Sequence, residues 1–290
     1  MKKAACLLAI LALSVSCKAI MDPIRVPLEG TSWSMSTNDQ TARVCFQDSR
    51  HVSIIQLDLS TSYIQSEHGT YETDGHAVLC TGDDWTKDVK MVRTFSHLKH
   101  GSTNKNLTPL YPQSYTDIKG SIWAGVVNRN LHLVYFCSDG NCLQGSFNNV
   151  ILEEGIPRGW TWTKKSFTHT GSQVEAGPFR GTLYDSFMVV DTLAVMVANY
   201  APESEEKSAL TGTVWTYEGA GFPGVIIFTS NTEFTRIFAA TKIVHEVKTG
   251  TYKLDGTSLA MTLDDKNETC QLEGGRFTFF EKSYAKVTLP

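Results

Sequence analysis

The sequence predicts an all-β protein made of three tandem small antiparallel barrels or sandwiches. A first block occurs three times, with glycine and tryptophan three residues apart and a phenylalanine thirteen residues after the tryptophan. A second block recurs downstream, with an aspartate fourteen residues after its glycine. Between the blocks lie short runs of strand formers bounded by turn residues, and no segment keeps a helical period for three turns. Two blocks in the same order, three times over, predict a repeat architecture.

The first block supplies the predicted core of each unit. A tryptophan on the first strand can plug one end of a barrel too small to be filled by aliphatic side chains. The glycine before it lets the backbone turn in closely beneath the ring, and the phenylalanine forms a second core layer. The predicted core residues are Trp33, Trp123, Trp215, Phe46, Phe136 and Phe228.

The second block sets the predicted boundaries. Its glycines are Gly69, Gly177 and Gly250, which follow the core phenylalanines by 23, 41 and 22 residues. The middle copy therefore carries about 18 extra residues in this alignment. Each unit holds six or seven short strands, whose edges a barrel or a sandwich would cover. The predicted organisation is a signal segment at 1–16, repeats at 27–100, 117–200 and 209–290, a linker at 101–116, and an insertion at about 137–154.

The N-terminus predicts a secreted, lipid-anchored protein. Lys2 and Lys3 precede an apolar run at 4–15 that is too short to span a bilayer and is typical of a secretory signal. The small residues that end at Cys17 resemble the lipobox of bacterial lipoproteins, which implies lipidation of Cys17. By the same resemblance, Lys18 favours the outer membrane. An ordinary secretory signal with an incidental cysteine is the alternative.

The repeated motifs resemble those of a known family. Gly30-Thr31-Ser32-Trp33 opens a small β unit, and Gly69-Thr70-Tyr71 and the Asp74-Gly75 hairpin follow it. This order is similar to the lipocalin-like domains of outer-membrane lipoproteins in Gram-negative, Bacteroides-type anaerobes. The resemblance spans about Leu28 to Tyr284. It implies a binding or structural role, with no shared catalytic residues, and no cofactor is predicted.

Composition narrows the function classes. The chain is 41% hydrophobic and 19% charged, as globular proteins are, and its net charge of −4 leaves no basic footprint for nucleic acid.

Asp83 and Asp264, each followed by a second aspartate, allow two interpretations: paired carboxylates for acid–base chemistry or turn residues after a strand. His97 and His100 would lie on opposite faces of a strand, so no metal site is predicted.

The middle region that the repeat does not explain, roughly from Cys137 to Lys165, is the candidate binding segment. Trp160 and Trp162 would point to one face of a strand, where with Arg158 they could stack on sugar rings or on a partner's aromatic side chains. The alternative is that both rings fill the core of the middle unit.

Cys137 and Cys142 bracket a turn, so a disulfide is feasible in an oxidising periplasm, and two reduced thiols are the alternative.

These observations predict a non-enzymatic, lipid-anchored module of the cell envelope. Its expected partners are the outer membrane, through the anchor, and a glycan or an envelope protein, but not nucleic acid. The alternatives are a hydrolase that uses the carboxylates near Asp83 or Asp264, and a structural spacer.

Overall fold

The structure is a computed structural model that describes most of the chain. The described residues are 25–36, 40–58, 63–82, 88–127, 130–148, 159–190, 194–200, 208–219, 222–240 and 244–288. These ranges contain strands and turns and no helix. Within them, no helix has the length and apolar character needed to cross a membrane.

The first eight strands form a closed antiparallel barrel. They are β1 (Thr31–Ser36), β2 (Gln40–Phe46), β3 (His51–Asp58), β4 (Tyr63–Thr73), β5 (Ala77–Thr81), β6 (Val89–Arg93), β7 (Leu98–His100) and β8 (Asn106–Leu110). Each strand pairs with the next, and β8 pairs with β1. The long strand β4 bends, so that its first part pairs with β3 and its last part with β5. The ring therefore leaves no free sheet edge.

A second set of strands follows the same path. It comprises β9 (Ser121–Val127), β10 (Asn130–Phe136), β11 (Asn141–Asn148), β12 (Gly159–Ser166), β13 (Thr168–Thr170), β14 (Gln173–Ala176), β15 (Phe179–Leu183), β16 (Phe187–Val190) and β17 (Ala194–Tyr200). Strands β12 and β13 follow one another across Phe167 and together take the place of the bent strand β4, since β12 pairs with β11 and β13 with β14. Strand β17 returns to pair with β9, which gives an eight-strand barrel.

The last eight strands form a nearly closed barrel. They are β18 (Val214–Gly219), β19 (Phe222–Phe228), β20 (Glu233–Ala240), β21 (Val244–Asp255), β22 (Ser258–Leu263), β23 (Lys266–Gln271), β24 (Arg276–Phe279) and β25 (Lys282–Lys286). Strand β21 bends as β4 does, and β25 pairs with β18. Between β23 and β24 the pairing is reduced to one bridge, Glu273 with Arg276. The described strands thus form barrels rather than sandwiches.

The Gly-x-x-Trp block builds a turn held by hydrogen bonds. Gly212 has a φ of +78°, and its N–H donates to Phe228 O at 2.8 Å. The Thr213 hydroxyl donates to Leu210 O at 2.5 Å and accepts the indole N–H of Trp215 at 2.9 Å. A buried indole needs such an acceptor. The same contacts recur in the other two blocks, where they involve Leu28, Gly30, Thr31, Trp33 and Phe46, and Ile118, Gly120, Ser121, Trp123 and Phe136.

The aromatic residues of this block lie inside the barrels. Trp33, Trp123 and Trp215 are at most 2% exposed. Each packs in the same apolar cluster as the phenylalanine of its block, and these are Phe46, Phe136 and Phe228. One end of each barrel interior is therefore closed by tryptophan and phenylalanine.

The structure corrects the alignment of the second block in the β9–β17 barrel. Gly177 lies in the β14–β15 turn, with a φ of +64°, and Phe179 begins β15. The residue that takes the place of Tyr71 and Tyr252 is Phe167, which packs 4.8 Å from the ring of Phe136. The corresponding pairs, Phe46–Tyr71 and Phe228–Tyr252, lie 4.8 and 4.7 Å apart. Phe167 follows its core phenylalanine by 31 residues, against 25 and 24 in those pairs, so the excess is about 6 residues, not 18.

Two predicted segments, the insertion and the linker, contain strands of the barrel walls. The predicted insertion at 137–154 contains β11, which is the counterpart of β3 and an ordinary wall strand. The predicted linker at 101–116 contains β8, which closes the first barrel against β1. Short strands such as β7 and β8, with three and five residues, carry too little alternation to be seen in the sequence.

The barrels pack against one another through the outer faces of their walls. Apolar residues of β9–β11 and β18–β20 form one buried cluster, which includes Leu133 and Ile227. Cys45 and Ile55 of the first barrel pack against Tyr184 and Phe187. Strand β21 also pairs with the first part of β4, which joins the first and last barrels in a single sheet.

Candidate functional site

The predicted indole pair lies between barrels. Trp160 and Trp162, on β12, stack with ring centroids 5.3 Å apart and an interplanar angle of 22°. Both are partly buried against the cluster shared by β9–β11 and β18–β20. A Cβ on Gly145 would lie 2.6 Å from the Trp162 ring, so the missing side chain allows the indole to lie on the sheet. The pair is therefore neither an exposed platform nor part of a barrel interior, and Arg158 lies outside the described residues.

The feasible disulfide between Cys137 and Cys142 is not formed. Cys142 pairs with Phe136 and faces the barrel interior with it. Cys137 is the next residue along the strand from Phe136, and its side chain packs on the outer cluster instead. The two sulfur atoms lie on opposite faces of the sheet, and the structure contains both cysteines as thiols.

The described carboxylate pair occupies a hairpin turn. Asp264 and Asp265 have φ values of +51° and +59°, as a two-residue turn between β22 and β23 requires. Asp264 accepts a hydrogen bond from Lys248 Nζ at 2.5 Å, and half of its side chain is exposed. This arrangement favours the turn interpretation for Asp264. Asp83 and the lipidation candidate Cys17 lie outside the described residues.

The described histidines do not assemble a metal site. The Nδ1 atom of His100 lies 3.0 Å from the Thr103 hydroxyl, and the His97 side chain is exposed. In the part of the chain that the structure describes, no group of three His, Cys, Asp or Glu side chains is arranged to hold a metal ion.

A cavity of about 330 Å³ opens inside the β9–β17 barrel. Its volume falls at the lower end of the range of about 300–1,000 Å³ that small-molecule sites occupy. The inward-facing side chains that line it are His132, Val134, Gln144, Ser146, Thr161, Thr163, Phe179 and Val190. They combine apolar walls with hydroxyl, amide and imidazole groups, and none of these lining residues carries a fixed charge. Such a mixture is typical of sites for small molecules.

The register of the strands explains why this barrel is hollow. Gly125, His132, Ser146 and Thr161 are paired in series across β9–β12. Glycine lacks a side chain, and serine and threonine are short, so this level of the interior is not filled.

The same level of the β18–β25 barrel carries larger and charged side chains. There the series reads Tyr217, Gly224, Phe238 and Glu246. The rings of Tyr217 and Phe238 stack at 6.4 Å, and Glu246 accepts a hydrogen bond from Arg236 at 2.7 Å. A cavity of about 560 Å³ in this barrel is lined mostly by charged side chains, among them Arg236, Lys266 and Glu268, so the two barrels differ in the charge of their linings.

Two polar groups define the chemistry of the cavity. Burial lowers the pKa of His132, so its imidazole is neutral at pH 7. Among the described residues, none donates a hydrogen bond to this ring or accepts one from it. Gln144 donates from its amide nitrogen to Ala176 O at 3.4 Å, which fixes the side chain across the interior. The cavity therefore offers neutral donors and acceptors to a ligand.

Sequence reasoning missed these residues. A signal was present in the sequence. When equivalent strands of the barrels are aligned, the side chains at their interior positions differ sharply in size. The alignment on Gly177 hid that signal, since it treated β11 as an insertion.

Comparisons with known proteins identify no relative. No family model matches the chain, and no curated protein matches it. A DnaN sliding clamp (DNA polymerase III subunit beta) from Pseudomonas aeruginosa bound to griselimycin aligns over 91% of this chain and 92% of its own, with 8% identity and a TM-score of 0.15. The Caulobacter crescentus pol III beta structure aligns over 91% and 93%, with 9% identity and a TM-score of 0.15. At these scores neither fold nor function is transferred.

Proposed function

We propose that the chain is three tandem copies of one lipocalin-like barrel, anchored through Cys17 to the outer membrane, and that it binds a small uncharged glycan fragment. The cavity of the β9–β17 barrel is the binding site. The single observation that carries the proposal is that this cavity is lined by neutral polar and apolar side chains, whereas a cavity of about 560 Å³ in the β18–β25 barrel is lined mostly by charged side chains, among them Arg236, Lys266 and Glu268.

The lining supports an uncharged, hydroxyl-rich ligand. A charged ligand would lose its hydration in a cavity that offers no opposite charge, and this loss is costly. Hydroxyl groups can instead exchange hydrogen bonds with His132, Gln144 and Ser146. Phe179 and Val190 supply apolar surface for the faces of a sugar ring.

The test is a ligand screen on the soluble chain from Asp22 onward. Thermal unfolding is recorded with uncharged sugars (glucose, galactose, mannose, N-acetylglucosamine) and with the charged sugars glucuronate and glucosamine. A ligand present at 100 times its Kd should stabilise the fold by about 2.7 kcal/mol. We expect stabilisation by at least one uncharged sugar and none by the charged ones.

Variants locate the binding. Ser146→Phe installs the residue found at the equivalent position, Phe238, and should abolish the shift without loss of stability, because the ring enters empty space. Gln144→Leu should weaken binding, while the same change at the exposed Gln56 of β3 should have no effect. Binding that survives Ser146→Phe would place the ligand elsewhere. A complete absence of sugar binding with retained capture of an envelope protein would favour a protein partner.

A further inference from the structure

A second cavity lies between the first two barrels. It has a volume of about 220 Å³. Ser32 and Gln47 line it from the β1–β8 barrel, and Arg180 and Tyr184 line it from the β9–β17 barrel. Interfaces between folded units are common places for ligand sites. This cleft is separate from the cavity within the β9–β17 barrel, with which it shares no lining residue.

One residue that lines this cleft carries a buried donor without a hydrogen-bond partner among the described residues. The amide nitrogen of Gln47 is buried and makes no hydrogen bond among the described residues. Buried polar groups are nearly always paired, and each exception calls for an explanation. A ligand that brings an acceptor atom into the cleft would satisfy this amide.

The remaining groups favour a negatively charged ligand. Arg180 carries the only charge among the described residues that line the cleft. Its contact with Glu175 is long, at 3.7 Å, and both side chains are exposed, so the guanidinium keeps N–H groups for another acceptor. Burial raises the pKa of Tyr184, which keeps its phenol protonated as a donor. It also raises the pKa of the nearby Cys45 thiol to about 12, so no thiolate repels an anion.

We infer that the cleft binds a small molecule through a carboxylate or phosphate group, with Gln47 donating from one barrel and Arg180 from the other. Guanidinium groups form paired hydrogen bonds with oxyanions of this kind. A ligand held from both sides would also couple the two barrels, because it binds only when they are docked.

The experiment is a titration of the soluble chain followed by NMR chemical shifts and calorimetry. The probes are inorganic phosphate and acetate, which separate phosphate from carboxylate chemistry, with chloride at the same ionic strength as the control. We expect saturable binding of at least one oxyanion. Arg180→Gln and Gln47→Met should each weaken it about tenfold or more, the loss expected when a charged or a buried hydrogen bond is removed.

Two control variants keep the outcome decisive. Arg276→Gln changes an exposed arginine on β24 and should leave the affinity unchanged. Ser146→Phe should also leave it unchanged, since it blocks only the barrel cavity, so failure of the sugar proposal and failure of this one are distinguishable. Because Arg180 is exposed, its variant should fold normally. Absence of saturable oxyanion binding, or equal affinity in Arg180→Gln and Arg276→Gln, would overturn the inference.

Discussion

Removing the hydroxyl group of Thr213 should lower the stability of the β18–β25 barrel. Thr213→Val keeps the shape of the side chain but deletes the oxygen that links Trp215 Nε1 to Leu210 O. The indole N–H is then buried without an acceptor, because Trp215 is only 1% exposed. The turn before β18 also loses the hydroxyl bond to Leu210 O, while the backbone N–H of residue 213 keeps its own bond to that oxygen at 2.9 Å.

The expected magnitude follows from these two losses. An unsatisfied buried donor costs about 1–3 kcal/mol, and a typical hydrogen bond contributes about 1 kcal/mol. The methyl group of valine is well tolerated in a half-buried site, so little is added or removed by packing. We expect Thr213→Val to lower the free energy of unfolding by about 2–3 kcal/mol.

The assay is urea unfolding followed by circular dichroism and tryptophan fluorescence. Thr278→Val, on the exposed face of β24, is the matched control and should stay within about 0.5 kcal/mol of the parent. In a Trp215→Phe background the same Thr213→Val change should cost only about 1 kcal/mol, because no indole N–H remains. A loss in Thr213→Val no larger than in Thr278→Val, or one unchanged in the Trp215→Phe background, would refute the hydrogen-bond argument.

Three further predictions concern pH, backbone and anchor. His132 is held below the ordinary histidine pKa of 6.5, so the unfolded chain takes up a proton first and the free energy of unfolding should fall as pH drops below about 6.5. His132→Gln should flatten that part of the profile measured by urea unfolding. Gly250→Ala places a Cβ 2.4 Å from Thr262 O and should destabilise more than Gly256→Ala, which meets nothing within 4 Å and costs only the strain of its φ of +58°, as thermal unfolding would show. Cys17→Ala should release the protein from the membrane fraction into the periplasm, and unchanged fractionation would count against lipidation.

The first block was readable from the sequence because its contacts are local. Gly212, Thr213 and Trp215 lie within one turn and one strand, and Phe228 is on the adjacent strand, where it packs in the same apolar cluster as Trp215. A motif whose contacts all fall within a hairpin keeps constant spacing, so it can be recognised without an alignment.

The second block was less reliable because a glycine followed by an aromatic residue is common. Gly69 is required at the bend of β4, where a Cβ would lie 2.1 Å from Thr81 O. In the β9–β17 barrel the bend falls at the break between β12 and β13, and Lys165 stands where glycine would be expected. The spacing therefore selected Gly177, which instead provides the positive φ of the β14–β15 hairpin turn.

The residues that fix the fold and those that shape the cavity occupy different levels of the same strands. At the closed end, Trp123 has a required hydrogen-bond partner and a required neighbour, so little variation is compatible with the barrel. At the open level, residues such as Ser146 make no contact that the wall depends on, and a larger side chain would bury more surface. An unfilled interior gives up packing energy, whereas polar lining allows water to occupy it while a ligand is absent. A neutral, polar cavity in the β9–β17 barrel, beside a cavity lined mostly by charged side chains in the β18–β25 barrel, therefore supports the proposal that the β9–β17 barrel uses its interior for an uncharged ligand.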